Sequence, residues 1–596
     1  MIVKEKLEAL RKLMKEKKID AYIIPTSDFH ETEYVGDYFK AREFMSGFSG
    51  SVGTLIVCKE SAALWVDGRY FIQASKELEN STIEMMKVGV EGTPTMAQYL
   101  FDHVQEQGVL GFDGRVMNTA LVNALLYTLK KKQITCVYND DLVDSIWEQR
   151  PSLAKGKSFL FDEKYCGRST GDKLADIRNY MRAHQCDYHI MTTLDDIAWT
   201  FNMRGNDIPC FPVILAFAVI TLDSAYLFVD QEKICDELKV MFEKYNIVLK
   251  DYEAIYSFIS ELKEGTILLD PNKVNYKITQ SLNENMKVIG KSNPTQIWKA
   301  KKNETELKNI KQAHIKDGVA VVKFLYWLKN NVGKMTITEA SAAEKIDSLR
   351  KEQEGFIEPS FHTISAYNEN AAMMHYRAVA NKCATLQPEG FLLIDSGGQY
   401  YQGTTDITRT IALGKLSDTM KLHFTTVLKS MISLSKATFL HGCSGRNLDI
   451  LARGPIWNLG IDYRSGTGHG IGFLLNVHEA PNGFRWRKVG DRNDGGTLEE
   501  GMVTSNEPGI YIEGQYGIRI ENEIVVKKDV ENEYGQFMKF DTVTFAPIDL
   551  DAIDPSVLTT EEKAWLNAYH QMVYENLAPH LETNEKVWLK EYTREI

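Results

Sequence analysis

A segment near the start of the chain recurs, in pattern and in order, in the second quarter. Residues 7–29 overlay residues 174–196 at a constant offset of 167, and both carry apolar residues at helical spacing followed by a strand-like apolar run. A second match pairs residues 61–67 with 224–230 at an offset of 163. Two matches in the same order predict a duplicated α/β domain. The alternative is that helix followed by strand is common and recurs by chance.

The length of 596 residues is too great for one hydrophobic core and favours three or four domains. A linker-like stretch at 150–157 ends the first repeated unit, and the second ends within 292–306. The predicted domains are an α/β domain at 1–155, a related α/β domain at 156–300, and a catalytic domain with a C-terminal extension at 301–596.

Capping signals predict two helices in the third domain. Asn303 and Glu306 have the spacing of a capping box before a long helical pattern, and Thr559 and Glu562 repeat it before the last helix.

Charge and cysteine usage exclude several classes of protein. The net charge of −12 and the pI near 5.7 argue against a general nucleic-acid or anionic-membrane binder. The N-terminal segment is charged throughout and lacks the apolar region of a secretory signal. The longest apolar run, 210–222, is too short for a membrane span and predicts a buried strand. Eight scattered cysteines without a CxxC pair favour reduced thiols in the cytoplasm.

Two aspartates of the third domain stand on either side of a turn-rich stretch. Asp395 ends the apolar run FLLID, and Asp406 lies in the β-branched segment TTDITRT, with SGGQYYQG between them. A hairpin would bring both carboxylates to one end of two paired strands. Taken alone, each is more simply a surface aspartate beside a turn. An aspartate that follows Leu-Leu-Ile inside an apolar strand is harder to explain that way.

Glu507 and Glu521 repeat this situation. The segment MVTSNEPGIY predicts a strand that ends at the turn signal EPG. The segment GIRIENEIVV predicts one alternating strand with Arg519, Glu521 and Glu523 on a single face. The alternative is a solvated face of an edge strand, which explains Glu523 well and Glu521 less well if that face looks into a hairpin interior.

Three histidines lie close to these segments in the sequence. His469 stands in GTGHGIG, where glycines allow the backbone and a ligand to approach closely. His375 lies in AAMMHYRAV and His478 in LLNVHEAP. Each alone is more simply a hydrogen-bonded turn or core histidine. Beside a metal pair, however, His375 and His478 would bind the substrate carbonyl, stabilise the oxyanion, or carry a proton to the leaving amine.

Four carboxylates and one imidazole have the makings of a dinuclear metal site. The predicted ligands are Asp395, Asp406, His469, Glu507 and Glu521. About four negative charges balance two divalent cations, without which buried carboxylates are costly. Oxygen and nitrogen donors without a thiolate favour Mn²⁺, Co²⁺ or Fe²⁺, with Zn²⁺ as an alternative. Two such ions about 3.5–4 Å apart would activate a bridging hydroxide for hydrolysis at neutral pH.

The motifs that carry these residues resemble those of the pita-bread metallopeptidases. GTGHGIG, NVHEAP, SNEPG and GIRIEN, with the DSGGQY…GTTDITRT hairpin, are most similar to the long, three-domain Xaa-Pro aminopeptidases. AYIIPTSDFHETEY, SGFSGSVGT, WVDGRYF and LDDIAWTFNMRG extend the resemblance over nearly the whole chain. It implies an α/β protein with an α+β catalytic domain: two related creatinase/prolidase-type N-terminal domains, then a pita-bread domain with a curved antiparallel sheet.

The resemblance also implies a role for each matched residue. The five predicted ligands match the family's dimetal ligands, with Asp406 and Glu521 as the bridging ones. His375 and His478 match the histidines that bind substrate and stabilise the transition state. Glu507 matches a group that also shuttles the proton of the activated water. Two arginines match residues that act near the substrate: Arg69, which reaches toward the peptide, and Arg519, which lies beside the bridging glutamate.

Membership in this family implies manganese as the metal, a homodimer, and removal of an N-terminal residue that precedes proline. An Xaa-Pro bond is a tertiary amide without an N–H and with a fixed φ, so ordinary aminopeptidase sites fit it poorly. The family often reads HGTGHG, whereas this chain has Ser465 in place of the first histidine. We therefore expect the contact at the pocket wall, and with it the affinity or length preference, to differ.

These observations predict a cytoplasmic metallo-exopeptidase, a hydrolase of Xaa-Pro peptides. One alternative is a prolidase, which acts only on dipeptides. A methionine aminopeptidase is disfavoured by the three-domain length. A third alternative is a metal-free pita-bread binding module, but such modules lack the ligand set that is complete here.

Overall fold

The computed structural model describes residues 1–488 and 495–596. Each of the two repeated α/β regions contains a six-stranded sheet. Both sheets belong to one unit of the fold, residues 1–163 with 168–296; a second unit comprises 164–167 with 297–596. The boundaries predicted near residues 155 and 300 stay a prediction. All eight cysteines are free thiols. Within the described ranges, no helix combines the length and apolarity needed to cross a membrane.

The two sheets of the first unit have the same strand order and strand directions. Their strands, with one short additional pair (β7 and β9), are β1 (Ala21–Pro25), β2 (Thr54–Cys58), β3 (Ala62–Val66), β4 (Glu84–Lys87), β5 (Val109–Phe112), β6 (Thr135–Val137), β7 (Phe159–Leu160), β8 (Tyr188–Met191), β9 (Met203–Arg204), β10 (Ala216–Thr221), β11 (Ala225–Val229), β12 (Ile247–Lys250), β13 (Gly265–Leu269) and β14 (Met286–Gly290). One sheet runs β4-β3-β2-β1-β5-β6 and the other β12-β11-β10-β8-β13-β14. In each, two central antiparallel pairings are flanked by parallel ones. The predicted duplication is confirmed.

Helices follow the same repeat. Those up to residue 300 are α1 (Val3–Glu16), α2 (Ala41–Ser46), α3 (Phe71–Glu77), α4 (Met96–His103), α5 (Thr119–Leu129), α6 (Glu163–Cys166), α7 (Thr170–Ala183), α8 (Leu194–Thr200), α9 (Asp236–Lys244), α10 (Ile255–Glu261), α11 (Tyr276–Gln280) and α12 (Pro294–Ala300). Helix α1 buries Leu7, Leu10 and Met14 at helical spacing, and α7 buries the matching positions of the second repeat. The apolar run 210–222 forms a buried strand only over β10, because Cys210 lies in a turn and residues 212–215 have no regular secondary structure.

The second unit is built on antiparallel strands. These are β15 (Phe356–Pro359), β16 (Ile364–Tyr367), β17 (Phe391–Ser396), β18 (Gly398–Tyr400), β19 (Gly403–Thr404), β20 (Ile407–Ala412), β21 (Phe439–Leu440), β22 (Gly468–Gly470), β23 (Glu479–Phe484), β24 (Val503–Asn506), β25 (Gly509–Ile512), β26 (Tyr516–Arg519), β27 (Asn522–Asn532) and β28 (Gly535–Thr542). The largest sheet runs β21-β28-β27-β24-β22-β23, and a second one runs β16-β17-β20. The curved antiparallel sheet of the predicted fold class is therefore confirmed.

Helices cover these sheets. They are α13 (Glu304–Asn331), α14 (Glu339–Lys351), α15 (Asp418–Ser435), α16 (Gly445–Trp457), α17 (Thr560–Leu577) and α18 (Thr583–Tyr592). The capping boxes predicted at Asn303 and Thr559 are both present. Apolar side chains of α15 and α17 pack around Ile518 and Ile520 in one core cluster.

Two sequence expectations about the ligand strands have different outcomes. The hairpin predicted between Asp395 and Asp406 is present: β17 pairs with β20, and Asp395 stands opposite Thr408. The single strand predicted for GIRIENEIVV is wrong, because β26 ends at Arg519 and β27 begins at Asn522. Glu521 therefore lies at a break between two strands, where the alternation of side chains along a strand does not set its direction.

Candidate metal centre

All five predicted ligands lie in the second unit, at or beside strand ends. Asp395 is the last residue but one of β17, and Asp406 directly precedes β20. His469 is the middle residue of β22. Glu507 follows β24, and Glu521 lies in the break before β27. Strand ends free a side chain from the pairing of the sheet, so residues from five separate segments can face a common point.

Their side chains converge. Ligand atoms of Asp406, His469 and Glu521 all lie within 4.8 Å of one another. His469 Nε2 is 3.4 Å from Asp406 Oδ2 and 3.4 Å from Glu507 Oε1. Asp395 belongs to the same electrostatic cluster, because its charge acts on both Asp406 and Glu521.

This concentration of carboxylates changes how they titrate. Burial raises the pKa of Asp406 well above its ordinary value, and Asp395 and Glu507 raise it further. Burial likewise raises the pKa of Glu521, with added contributions from Asp406 and Glu507. A group of buried acids that disfavour one another's ionisation is stabilised by bound cations.

Unpaired oxygens show that the donor set fits such cations. Among the described residues, Asp395 Oδ1 and Glu521 Oε1 are buried without a hydrogen-bond partner. Buried polar atoms are rarely left unpaired unless a ligand satisfies them. Oxygen-rich sites with one imidazole suit divalent ions such as Mn²⁺. These residues therefore have the chemistry and the free oxygens of a metal site.

Neighbouring groups hold the second oxygen of two of these carboxylates. Arg519 Nη2 donates to Asp395 Oδ2 at 2.5 Å. Thr408 Oγ1 donates to Glu521 Oε2 at 2.7 Å and accepts from Arg519 Nε at 3.1 Å. With one oxygen of each carboxylate fixed by a donor, the other is left oriented for a ligand. Arg519 thus reaches Glu521 through Thr408, and its role beside a bridging glutamate stays a prediction.

The tautomer of His469 also suits metal binding. Its Nδ1 lies 3.0 Å from the carbonyl oxygen of Gly470, which can only accept, so the proton is assigned to Nδ1. The lone pair is then on Nε2, the atom that faces the carboxylates. Ser505 links two of the predicted ligands by hydrogen bonds. Its Oγ accepts from the backbone N–H of His469 at 3.0 Å and donates to Glu507 Oε1 at 3.2 Å.

The two histidines predicted to act on substrate lie at the edge of the cluster. The ring of His478 meets that of His469 edge to face, with centroids 4.2 Å apart. His375 is half-buried and directly follows Met374, whose carbonyl oxygen is 3.5 Å from Arg519 Nη2. Their roles toward substrate stay predictions.

The remaining predicted site residue, Arg69, belongs to the first unit. Its Nε and Nη2 bind the carboxylate of Asp67 at 3.0 and 2.7 Å, which fixes the direction of the guanidinium. A contact between Arg69 and a peptide stays a prediction.

Sequence reasoning missed two residues of the site. Glu523, which the sequence favours as a solvated residue of an edge strand, is fully buried. Its Oε1 accepts the backbone N–H of Asp406 at 2.7 Å, and its Oε2 lies 3.1 Å from Nε2 of His314 on α13. The expected exposure is wrong because α13 covers this face. The one sequence signal for this contact is His314, a histidine in the apolar part of a long helix, which indicates a buried polar partner.

Family models match almost the whole chain. They are the creatinase/prolidase N-terminal domain at residues 6–146 and again at 149–306, metallopeptidase family M24 at 308–528, and the C-terminal region of peptidase M24 at 536–596. The converging ligand set and this match define the second unit as an M24 metallopeptidase domain.

Full-length relatives narrow the class. The chain is 39% identical to a probable Xaa-Pro aminopeptidase P of Aspergillus flavus, over 99% of this chain and 92% of the relative. It is 37% identical to aminopeptidase P2 of Arabidopsis thaliana, over 100% and 89%. The chain belongs to the Xaa-Pro aminopeptidase family, and is thus a metallopeptidase and a hydrolase, as the sequence predicted.

Solved structures agree. The X-prolyl aminopeptidase of Caenorhabditis elegans, described as a cytosolic enzyme with a dinuclear active site, superimposes with a TM-score of 0.95 at 34% identity, covering 100% of both chains. An Xaa-Pro dipeptidase of Bacillus anthracis shares the fold over 64% of this chain and 99% of its own, with a TM-score of 0.51 and 23% identity. The long, three-part form is therefore the one that matches throughout.

Proposed function

We propose that this protein uses two divalent metal ions to hydrolyse the peptide bond between an N-terminal residue and a following proline. The observation that carries this proposal is the convergence of four carboxylates and one imidazole with unpaired, buried oxygens. The names of the full-length relatives support the Xaa-Pro specificity. The dinuclear site of the nematode relative supports two ions.

The ligands we assign are Asp395, Asp406, His469, Glu507 and Glu521. Asp406 and Glu521 would be the bridging pair, which the closeness of their ligand atoms and the effect of Asp406 on the pKa of Glu521 support. Manganese is the proposed metal, because hard oxygen donors predominate and no thiolate takes part.

The two ions would supply a water of lowered pKa as the nucleophile. Glu507 would take up the proton of that water, a role supported by its position in the cluster and its hydrogen bond from Ser505. His478 would donate to the oxyanion or to the leaving amine, a role supported by its edge-to-face contact with His469. His375 would bind the substrate.

Positioning of the ligands follows from their hydrogen bonds. Arg519 holds Asp395, and Thr408 holds Glu521. Arg519 Nη1 also donates to the hydroxyl oxygen of Tyr511 at 2.7 Å, so the guanidinium is fixed from two directions. Such fixed groups need little rearrangement when charge develops in the transition state.

Two residues, Arg69 and Ser465, bear on the length of peptide that the site accepts. Arg69 is the proposed contact to longer peptides. Ser465, in place of the family's usual histidine, has a backbone carbonyl that accepts from Arg453 at 3.2 Å. We infer that the smaller Ser465 side chain leaves the pocket wall wider at this point.

A cytosolic homodimer is the proposed form in the cell. The nematode relative is described as cytosolic, and eight free thiols suit a reducing compartment. Ile450 and Trp457, seven residues apart on α16, expose 48% and 38% of their surface on one helix face. The exposed ring of Trp486 lies 5.8 Å from that of Trp457, and this apolar surface supports association with a second copy.

The test is a digestion of matched peptides by the full chain with MnCl₂ added. An Ala-Pro-peptide should lose its N-terminal alanine, whereas an Ala-Ala-peptide should stay intact. Cleavage of Ala-Pro dipeptide alone would instead identify a prolidase. If the chain cleaves neither peptide and takes up no Mn²⁺, it is a metal-free binding module.

A further inference from the structure

Glu523 is a buried carboxylate that the ligand assignment leaves without a role. It lies two residues beyond Glu521 and is 0% exposed. His314, the residue that faces it from α13, is also 0% exposed. A carboxylate and an imidazole removed from water together are costly unless their polar atoms are used.

One oxygen of Glu523 holds the backbone of a predicted bridging ligand. Its Oε1 accepts the N–H of Asp406 at 2.7 Å. Asp406 lies just outside the ladder, since β19 ends at Thr404 and β20 begins at Ile407. The carboxylate of Glu523 thus takes the place of a strand partner. A backbone N–H bonded to a carboxylate is held more strongly than one bonded to a neutral acceptor.

Glu523 is itself fixed from several sides. It stands opposite Ser505 in the pairing of β24 with β27, and its N–H donates to Thr544 Oγ1 at 2.8 Å. Its Oε2 lies 3.1 Å from Nε2 of His314, at ion-pair distance but outside hydrogen-bond geometry. The side chain therefore joins α13, the large sheet and the Asp406 segment at one buried point.

We propose that Glu523 and His314 are positioning residues for Asp406. Glu523 fixes the backbone of Asp406, and His314, which lies within ion-pair distance of the other oxygen of Glu523, limits where that carboxylate can move, so that the Asp406 carboxylate would face the metal site. This inference rests on the proposed function. It differs from a purely structural role, because it requires that metal affinity change while the fold stays intact.

The experiment measures Mn²⁺ affinity by isothermal titration calorimetry of the full chain after treatment with EDTA. Loss of a group that orients a metal ligand typically lowers metal affinity 10–100-fold, and this is the loss expected for Glu523→Ala. Glu523→Gln keeps an oxygen acceptor for Asp406 N–H, while its amide group can donate to His314. It should therefore stay within about 3-fold of the natural protein, a difference of about 0.7 kcal/mol or less.

Glu533→Gln, on the exposed turn between β27 and β28, is the matched control and should leave affinity unchanged. If Glu523→Ala does not fold, His314→Leu decides the question, with a loss of about 10-fold expected. Unchanged affinity in Glu523→Ala, or in His314→Leu, overturns the inference, as does an equal loss in Glu523→Gln and Glu523→Ala. Absence of Mn²⁺ binding by the natural chain would instead refute the proposed function.

Discussion

Replacing Asp406 by asparagine should make the metal-free protein more stable and the metal-loaded protein less stable than the natural chain. Asp406 is 4% exposed, and both burial and the neighbours Asp395 and Glu507 raise its pKa. An asparagine at this position would keep nearly the same volume and remove the ionisable group. The substitution therefore relieves a repulsion that a bound proton or bound cations otherwise relieve.

The sign of the effect follows from proton linkage. The pKa of an aspartate in the unfolded chain is about 3.9, and the folded value for Asp406 is higher. As the pH rises from about 4 through the folded pKa, the folded state keeps a proton that the unfolded state has lost, so its stability falls. At pH values above the folded pKa, each unit by which folding raises a pKa lowers the free energy of unfolding by about 1.4 kcal/mol.

At pH 8, metal-free Asp406→Asn should therefore have a higher Tm than the natural protein, because it lacks the group whose pKa folding raises. At Mn²⁺ concentrations 100-fold above Kd, binding stabilises the natural protein by about 2.7 kcal/mol. The variant loses most of this gain, so the order of the two Tm values should reverse.

The assay is scanning calorimetry of the full chain in EDTA and in MnCl₂, at pH 5.5 and pH 8. Asp541→Asn, at an exposed position of β28, serves as the control for loss of one negative charge. The reasoning is refuted if metal-free Asp406→Asn is no more stable than the natural protein at pH 8. It is also refuted if Mn²⁺ stabilises both proteins equally.

Three further outcomes are expected. His478→Ala should keep its Mn²⁺ but lower kcat about 100-fold or more, because a group that serves the transition state is removed; loss of metal would instead make His478 a ligand. Arg69→Ala should raise KM for longer Xaa-Pro peptides more than for short ones, and an unchanged length profile would remove Arg69 from the site. Because Asp406 and Glu521 have raised pKa values, Mn²⁺ binding should release protons and strengthen between pH 5.5 and pH 8; an affinity independent of pH would contradict their assignment.

Local patterns were enough to predict much of the architecture. The repeat at offset 167 predicted two sheets of one topology, because apolar periodicity reports which face of an element is buried. The capping boxes at Asn303 and Thr559 depend on a few neighbouring residues and were correct. The hairpin between Asp395 and Asp406 was also correct, since turn residues between two strand patterns act locally.

Glu523 shows where such reasoning fails. Its alternation predicted one face shared with Glu521, and a solvated position explained Glu523 well. A break after Arg519 separates the two residues, and Glu523 is buried. The contact with His314 spans more than two hundred residues, and no pattern within one element reports it.

The amino-acid sequence alone determined the kinds of element, their order, the duplication, the family and the five candidate ligands, because these depend on residue type and short-range spacing. Only the tertiary structure decided which oxygens of Asp395 and Glu521 are unpaired, that Arg519 and Thr408 hold these two carboxylates, and that Glu523 accepts the backbone N–H of Asp406. Those features arise where segments distant in the chain exclude water together, and hydrogen-bond partners in such a place are set by packing rather than by neighbours in sequence.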